Sequence, residues 1–165
     1  GGMLVYFASL LKLMKKQFKI VGVDVLIRNI NKKKIQSHFL SKHIDLYQFS
    51  SVNEKFIQLF KKKYLKKNKK TIIFLDSNHT KDHVLNELYL YSKLLKKGDF
   101  IIVMDTVIEL IDQKYTKGKS FSKGNSPMNA VQVFLKSNKN FKNINLYENK
   151  SFLTVARNGF LKKTK

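Results

Sequence analysis

Three aspartates stand at the ends of apolar runs, where an α/β fold places its chemistry. They are Asp24, Asp76 and Asp105, which close the predicted strands 18–24 and 71–76 and directly follow the predicted strand 100–104. Ligands of open α/β sheets bind beyond the carboxyl ends of the strands, so these carboxylates are predicted to line a ligand site. A carboxylate at a strand end loses solvation unless a ligand, a metal or a hydrogen-bonded turn compensates. Each aspartate could therefore simply accept hydrogen bonds from the turn or helix that follows it. For the three together, the functional interpretation is favoured.

The positions of the three aspartates suggest different roles. Asp24 lies at the tip of a strand that follows a glycine-opened helix, which makes it a candidate for binding ribose hydroxyls. Asp76 and Asp105 are predicted on neighbouring strands and could share a hard divalent cation through their oxygen atoms. Asp76 is also a candidate catalytic carboxylate.

Two histidines follow Asp76 at a spacing of four residues. His79 lies in the turn after the strand, where an imidazole can serve as a general base because its ordinary pKa is near neutral. A purely structural role for His79 fits the pattern equally well, and His83 is expected to be an ordinary helix histidine. Two histidines at this spacing can bind zinc, but the metalloprotease pattern needs a glutamate directly after the first, where this chain has Thr80.

The hydrophobic pattern predicts alternating helices and strands. The helices are predicted over 3–16, 31–39, 52–67, 80–96 and 127–137, and the strands over 18–24, 43–49, 71–76, 100–104, 144–148 and 151–156. Thr80 is expected to cap the fourth helix. The last two strands are predicted to form a hairpin at 149–150. This order predicts an α/β fold with a mostly parallel sheet, helices on both faces and a C-terminal antiparallel hairpin.

The composition limits the class of protein. The 165 residues are enough for one domain with a real core, and the absence of cysteine excludes a disulfide framework and a thiolate nucleophile. No apolar run is long enough to span a bilayer, so no transmembrane segment is expected. A cytoplasmic location is expected because the chain has no cysteine. The net charge of +22 comes mostly from lysine, whereas proteins that read bases rely on arginine, so no specific nucleic-acid partner is expected.

The chain opens on Gly1-Gly2, directly before the first predicted helix. A glycine pair in this place either caps the helix or lets a ligand such as a phosphate approach the backbone.

Six segments match, in the same order, the pattern of one known family. They are 1–11, 22–28, 75–88, 105–109, 124–131 and 158–161. The most specific is Leu-Asp-Ser-Asn-His-Thr-Lys-Asp-His-Val-Leu-Asn-Glu-Leu at 75–88. The chain therefore resembles the cephalosporin hydroxylase/rhamnosyl O-methyltransferase family over essentially its whole length. The resemblance implies a Rossmann-like, class I S-adenosylmethionine-dependent methyltransferase fold.

The resemblance also implies roles for individual residues. The residues expected to face the cofactor are Gly1, Gly2, Asp24 and, near its adenine end, Ser51, and the candidates for a magnesium ion are Asp76 and Asp105. Some members carry an acidic residue just before the Asp105 position, where this chain has Met104, so a cation here would be one carboxylate short. These motifs do not supply the two histidines and one carboxylate that iron-dependent hydroxylation needs.

The expected activity is O-methyl transfer from S-adenosylmethionine to a hydroxyl of a sugar, a glycolipid or a small natural product. His79 is the expected base, and the loop 113–126 is expected to influence the choice of acceptor. The family has a strand before the glycine pair, so we expect 1–165 to be a single methyltransferase-like domain that lacks its first strand through N-terminal truncation. The alternatives are an inactive fragment, or a non-catalytic basic module that binds anionic glycan, lipid or nucleic acid. A homo-oligomer is compatible with either function.

Overall fold

The computed structural model of the chain describes residues 1–150 and 153–165, which form two compact units, Gly1–Ile57 and Gln58–Lys165. Each unit has its own β-sheet and its own order of elements. The α/β class predicted from the sequence is confirmed by the alternation of helices and strands along the chain. The assignment of 1–165 to a single domain stays a prediction.

The first unit contains a two-stranded parallel sheet. Its elements are α1 (Gly2–Leu13), β1 (Ile20–Asp24), α2 (Asn29–Gln36), a 3-10 turn (Ser41–His43) and β2 (Ile44–Gln48), and α3 (Glu54–Tyr64) begins in this unit. The register places Ile20 opposite Ile44 and Asp24 opposite Gln48, so both strands end at the same edge. Strand and helix positions agree with the prediction, although most elements are shorter than predicted.

Helix α1 packs closely against β1 at Gly22, which has no side chain. A Cβ atom at Gly22 would lie 2.6 Å from the Cδ1 atom of Leu4, so Leu4 fills the space that a side chain at position 22 would need. The buried residues of this small core are Ala8, Ile35, Leu40 and Ile44.

The second unit contains a four-stranded mixed sheet in the order β3-β4-β6-β5. Its main elements are β3 (Ile72–Leu75), α4 (Lys81–Ser92), β4 (Phe100–Val103), α5 (Pro127–Ser137), β5 (Phe141–Asn143), α6 (Asn145–Asn149) and β6 (Phe160–Lys163), with short 3-10 helices at Thr106–Glu109 and Gln113–Tyr115. Strands β3 and β4 are parallel, and β6 runs antiparallel to both of its neighbours. The prediction that strands 71–76 and 100–104 are neighbours is confirmed. The predicted helix 127–137, which begins at Pro127, is also confirmed.

The predicted C-terminal hairpin is wrong in its residues. The segment 144–148 lies largely in α6, residues 153–156 form no strand, and Ser151 and Phe152 lie outside the described residues. Strand β6 instead pairs antiparallel with both β5 and β4, and the fully buried Leu161 lies opposite Ile101 of β4. Asparagines at both ends of 145–149 disfavour a strand, and Tyr147 packs its ring against Phe160 at 6.0 Å between centroids.

The helices of the described part of the chain are short. Across residues 1–150 and 153–165, no helix has both the length and the apolar character required to cross a bilayer.

Candidate active site

The carboxyl ends of β3 and β4 bring two of the predicted aspartates together. Leu75 pairs with Val103 at the end of the parallel ladder, and the Met104 N–H donates to the Leu75 carbonyl at 2.9 Å. Asp76 and Asp105 follow at this edge of the sheet. Asp105 has a φ of 53°, in the left-handed region that aspartate tolerates better than most residues, and from there the chain turns into the 3-10 helix Thr106–Glu109.

His79 places its imidazole between these two carboxylates. Its Nε2 atom lies 2.9 Å from Oδ2 of Asp105 and 3.8 Å from Oδ1 of Asp76. One donor atom from each of the three residues lies within 4.8 Å of the others. The turn after β3 therefore places an imidazole, and the ends of two strands place two carboxyl groups, in one small volume.

The contact between His79 and Asp105 is a close approach of an imidazole nitrogen to a carboxylate oxygen and not a well-directed hydrogen bond. The Nε2 atom is buried and makes no hydrogen bond to any described residue, although its distance to Asp105 is short. Hydrogen bonds weaken steeply when the donor hydrogen does not point at the acceptor, which explains how both observations hold. The interaction with the Asp76 carboxylate raises the pKa of His79 above its ordinary value, against the opposing effect of partial burial, and the charge of Asp105 acts in the same direction.

The segment before α5 covers one side of this cluster. The ring of Phe121 meets the His79 ring edge-on, with centroids 5.2 Å apart. The Asn125 side-chain oxygen accepts a hydrogen bond from the Lys81 N–H at 3.0 Å and so caps the start of α4. Thr80 was predicted as this cap, but its side chain makes no capping hydrogen bond within the described residues. Nothing in the spacing of Phe121 or Asn125 indicated that they approach the turn.

Glu109, the last residue of the 3-10 helix that follows β4, binds the same segment. Its carboxylate accepts hydrogen bonds from the Gly124 N–H at 3.0 Å and from the hydroxyl of the fully buried Ser126 at 2.7 Å. Partial burial acts against the charged form, but these hydrogen bonds outweigh it and hold the pKa of Glu109 below its ordinary value. These partners lie 15 and 17 residues away along the chain, so no local sequence pattern indicates the contacts.

The lowered pKa of Glu109 predicts an acid-sensitive contribution to stability. The unfolded chain has the higher pKa, about 4.3, so charged Glu109 stabilises the fold above that pH and the stabilisation is lost as the pH falls through the folded-state pKa. In urea unfolding, the free-energy difference between wild type and Glu109→Gln should be constant near pH 7 and shrink below about pH 4. The exposed Glu54→Gln serves as control, and a Glu109→Gln difference that is independent of pH would contradict the assignment.

The other predicted site residues lie in the first unit. Asp24 ends β1, is exposed, and accepts a hydrogen bond from the Leu26 N–H at 3.0 Å, while Ser51 follows the neighbouring strand β2. Gly1 precedes α1 as its N-cap and Gly2 is its first residue. Beyond its chain neighbours and the backbone of its own helix, no described atom lies within 4 Å of the position of a Cβ at Gly2, so packing within the described residues does not require glycine there.

Comparison with known proteins decides the family. The model of the family described as rhamnosyl O-methyltransferase/CmcI matches residues 1–164. The chain belongs to this family. The match confirms the resemblance derived from the sequence motifs.

Relatives in the family are longer than this chain. Rhamnosyl O-methyltransferases of Mycobacterium bovis (strain BCG / Pasteur 1173P2) and Mycobacterium tuberculosis (strain ATCC 25618 / H37Rv) are each 30% identical to it over 165 residues. The match covers 98% of this chain and 62% of each relative.

Solved structures with a similar fold are methyltransferases. One is MycE methyltransferase from the mycinamycin biosynthetic pathway in complex with Mg, SAH and mycinamycin VI, with a TM-score of 0.55, 12% identity, and coverage of 89% of this chain and 37% of that one. A second crystal of MycE with Mg and SAH gives a TM-score of 0.53 at 13% identity, covering 89% and 38%. The likeness shows that the chain has a methyltransferase-like fold, as predicted.

Proposed function

We propose that the protein transfers a methyl group from S-adenosylmethionine to a hydroxyl group of a sugar or small natural product. The observation that carries the proposal is the cluster of Asp76, His79 and Asp105 at the carboxyl ends of two parallel strands, in a chain of the rhamnosyl O-methyltransferase/CmcI family. Membership of this family favours the enzyme over a non-catalytic basic binding module.

The residues of the first unit fit a nucleoside cofactor. An exposed carboxylate at the tip of β1 suits hydroxyl donors such as those of ribose, and Asp24 is in that position. Gly2 leaves open space at the first residue of α1, where backbone N–H groups favour polar or anionic ligands. Gly1, Gly2 and Asp24 would hold the cofactor, with Ser51 near its adenine end, and the bound cofactor supplies the electrophilic methyl group.

His79 would remove the proton from the acceptor hydroxyl. As the methyl group is transferred, the proton passes to Nε2, and the resulting imidazolium is stabilised by Asp105 at 2.9 Å and by Asp76 at 3.8 Å. Most of the remaining rate enhancement in such a reaction comes from holding the hydroxyl in line with the methyl group. Phe121, beside the His79 ring, is placed to contact the acceptor and to limit its orientation.

The donor atoms also fit a divalent cation. Asp76 and Asp105 offer carboxylate oxygens close to a buried imidazole nitrogen without a hydrogen-bond partner among the described residues. Asp76 and Asp105 would hold a magnesium ion, which when bound lowers the pKa of a nearby hydroxyl. Met104 supplies no carboxylate, so the two aspartates would hold the ion without a third acidic ligand from that position. A cytoplasmic location and a homo-oligomer stay predictions.

Calorimetry tests the cofactor assignment. S-adenosylmethionine should bind the protein, and Asp24→Ala should weaken binding at least about tenfold, because two hydrogen bonds between a carboxylate and ribose are lost. Asp45→Ala is a matched control, since it removes a carboxylate from the neighbouring strand, where Asp45 pairs with Lys19 at 2.7 Å. Absence of binding by the wild-type protein would contradict the proposed function.

A further inference from the structure

A carboxylate lies buried beneath the candidate active site. Glu87, on α4, is 1% exposed, whereas carboxylates are almost never fully buried unless they are paired. The proposed chemistry does not use it, and it is separate from the cluster of Asp76, His79 and Asp105.

One polar partner of Glu87 is Ser77, which lies in the turn that contains Asp76 and His79. The Ser77 hydroxyl donates to Oε1 of Glu87 at 2.7 Å. The Nε2 atom of His83 lies 3.2 Å from the Ser77 Oγ atom and 3.5 Å from the same Glu87 oxygen. The Ser77 hydroxyl has one hydrogen, which it donates to Glu87, and its oxygen can also accept a hydrogen bond. His83 therefore donates from Nε2 to the Ser77 oxygen, and the hydrogen on Nε2 is assigned from these contacts.

This chain of contacts joins the turn to a rigid helix. Ser77 directly follows Asp76 and precedes His79 by two residues, and both of those residues must face Asp105 across the end of β4. Glu87 lies on α4 between the buried residues Val84 and Leu88. A hydroxyl held by a carboxylate on a packed helix therefore restricts where the turn can place the two catalytic candidates.

The arrangement of Glu87 is not one that maximises stability. Its Oε2 atom is buried and makes no hydrogen bond to any described residue. A buried carboxylate with an unsatisfied oxygen is unfavourable, and replacing such a group by an apolar side chain of similar size is often neutral or stabilising. A buried carboxylate whose hydrogen bond goes to the active-site turn is best explained by what it does for that turn.

We propose that Glu87 is a positioning residue, which holds the Ser77 hydroxyl and so fixes the turn that presents Asp76 and His79 to Asp105. The proposal rests on the proposed function for its catalytic consequence. Its structural content, that Glu87 and Ser77 order the turn 76–80, is independent of which reaction the site performs.

The test compares three variants with a control on the same helix. Glu87→Met removes the acceptor at similar size, Ser77→Ala removes the donor, and Glu87→Gln keeps an oxygen acceptor for Ser77. Asp82→Asn removes an exposed carboxylate from the first turn of α4 without touching Ser77. Hydrogen–deuterium exchange of the amides in 76–80 is the main measurement, with exchange in β4 and β6 and urea unfolding measured beside it.

We expect Glu87→Met and Ser77→Ala to speed exchange in 76–80 about tenfold, while Glu87→Gln and Asp82→Asn remain near wild type. Glu87→Met should unfold at the same or a higher urea concentration, and exchange in β4 and β6 should not change. Unchanged exchange in both Glu87→Met and Ser77→Ala would overturn the proposal. Faster amide exchange in β4 and β6 as well as in 76–80, seen in both Glu87→Met and Glu87→Gln, would also overturn the proposal, because it would indicate a structural role for Glu87. If Glu87→Met does not fold, Ser77→Ala decides.

Kinetics separate this proposal from the proposed function. If the protein transfers methyl groups, Ser77→Ala should lower kcat about tenfold and leave the KM for S-adenosylmethionine unchanged. A response of the turn to Ser77→Ala in a protein without methyl transfer would refute the proposed function and leave the positioning role intact. An unaltered turn in an active methyltransferase would refute only the positioning role.

Discussion

Replacing His79 by glutamine is expected to slow methyl transfer by about a hundred- to ten-thousand-fold, the range that general base catalysis supplies. The imidazole is the basic group placed between Asp76 and Asp105, and glutamine keeps a polar side chain of similar size without a basic nitrogen. The measurement is the rate of methyl transfer under saturating S-adenosylmethionine, together with the affinity for the cofactor. That affinity should not change, because the cofactor residues are predicted in the first unit.

The matched control for this prediction is His43→Gln. His43 lies in the first unit, where its ring stacks on Phe18 with centroids 4.6 Å apart, and it has no part in the proposed chemistry. Its variant should retain the wild-type rate. Full activity of His79→Gln, or an equal loss in both variants, would show that His79 is not the base.

Replacing Gly159 by alanine is expected to destabilise the second unit by about 3 kcal/mol, at the upper end of the usual cost of overpacking. A Cβ at Gly159 would lie 2.2 Å from the carbonyl oxygen of Val103 and 3.0 Å from that of Ala156. Both obstacles are backbone atoms, so no side-chain rotation relieves the clash. The Gly159 carbonyl also accepts the Val103 N–H at 2.9 Å, and separating the two segments would break that hydrogen bond.

Urea unfolding measures this loss directly. Gly2→Ala is the control for the removal of a glycine. Beyond its chain neighbours and the backbone of its own helix, no described atom lies within 4 Å of the Cβ position there, so its effect on stability should be small. The end of β4 leads straight into Asp105, so Gly159→Ala should also disturb the candidate active site. A Gly159→Ala variant as stable as wild type would mean that β6 does not approach β4 as closely as described.

The sequence by itself determined the class of fold and the neighbourhood of the site. Apolar runs next to an aspartate predicted β3 and β4 as neighbouring strands, and these strands pair in parallel. The edge strand β3 is less buried than such a run indicates, since Ile72 is 56% exposed. Proline at the first helical position marked the start of α5. The motif at 75–88 indicated the family before any comparison, and Asp76, His79 and Asp105 were candidates from their positions alone. Their catalytic or metal-binding roles stay predictions.

The tertiary structure decided the contacts that depend on packing between distant segments. The C-terminal antiparallel pair could not be located by alternation, because Phe160 and Leu161 offer only two apolar residues and become a strand by pairing with β4. The burial of Glu87 and its hold on Ser77 had no signal in the sequence, where a glutamate on a helix is usually exposed. Local patterns report which side of an element is apolar, whereas the partner of a polar side chain is set by which segments the fold brings together.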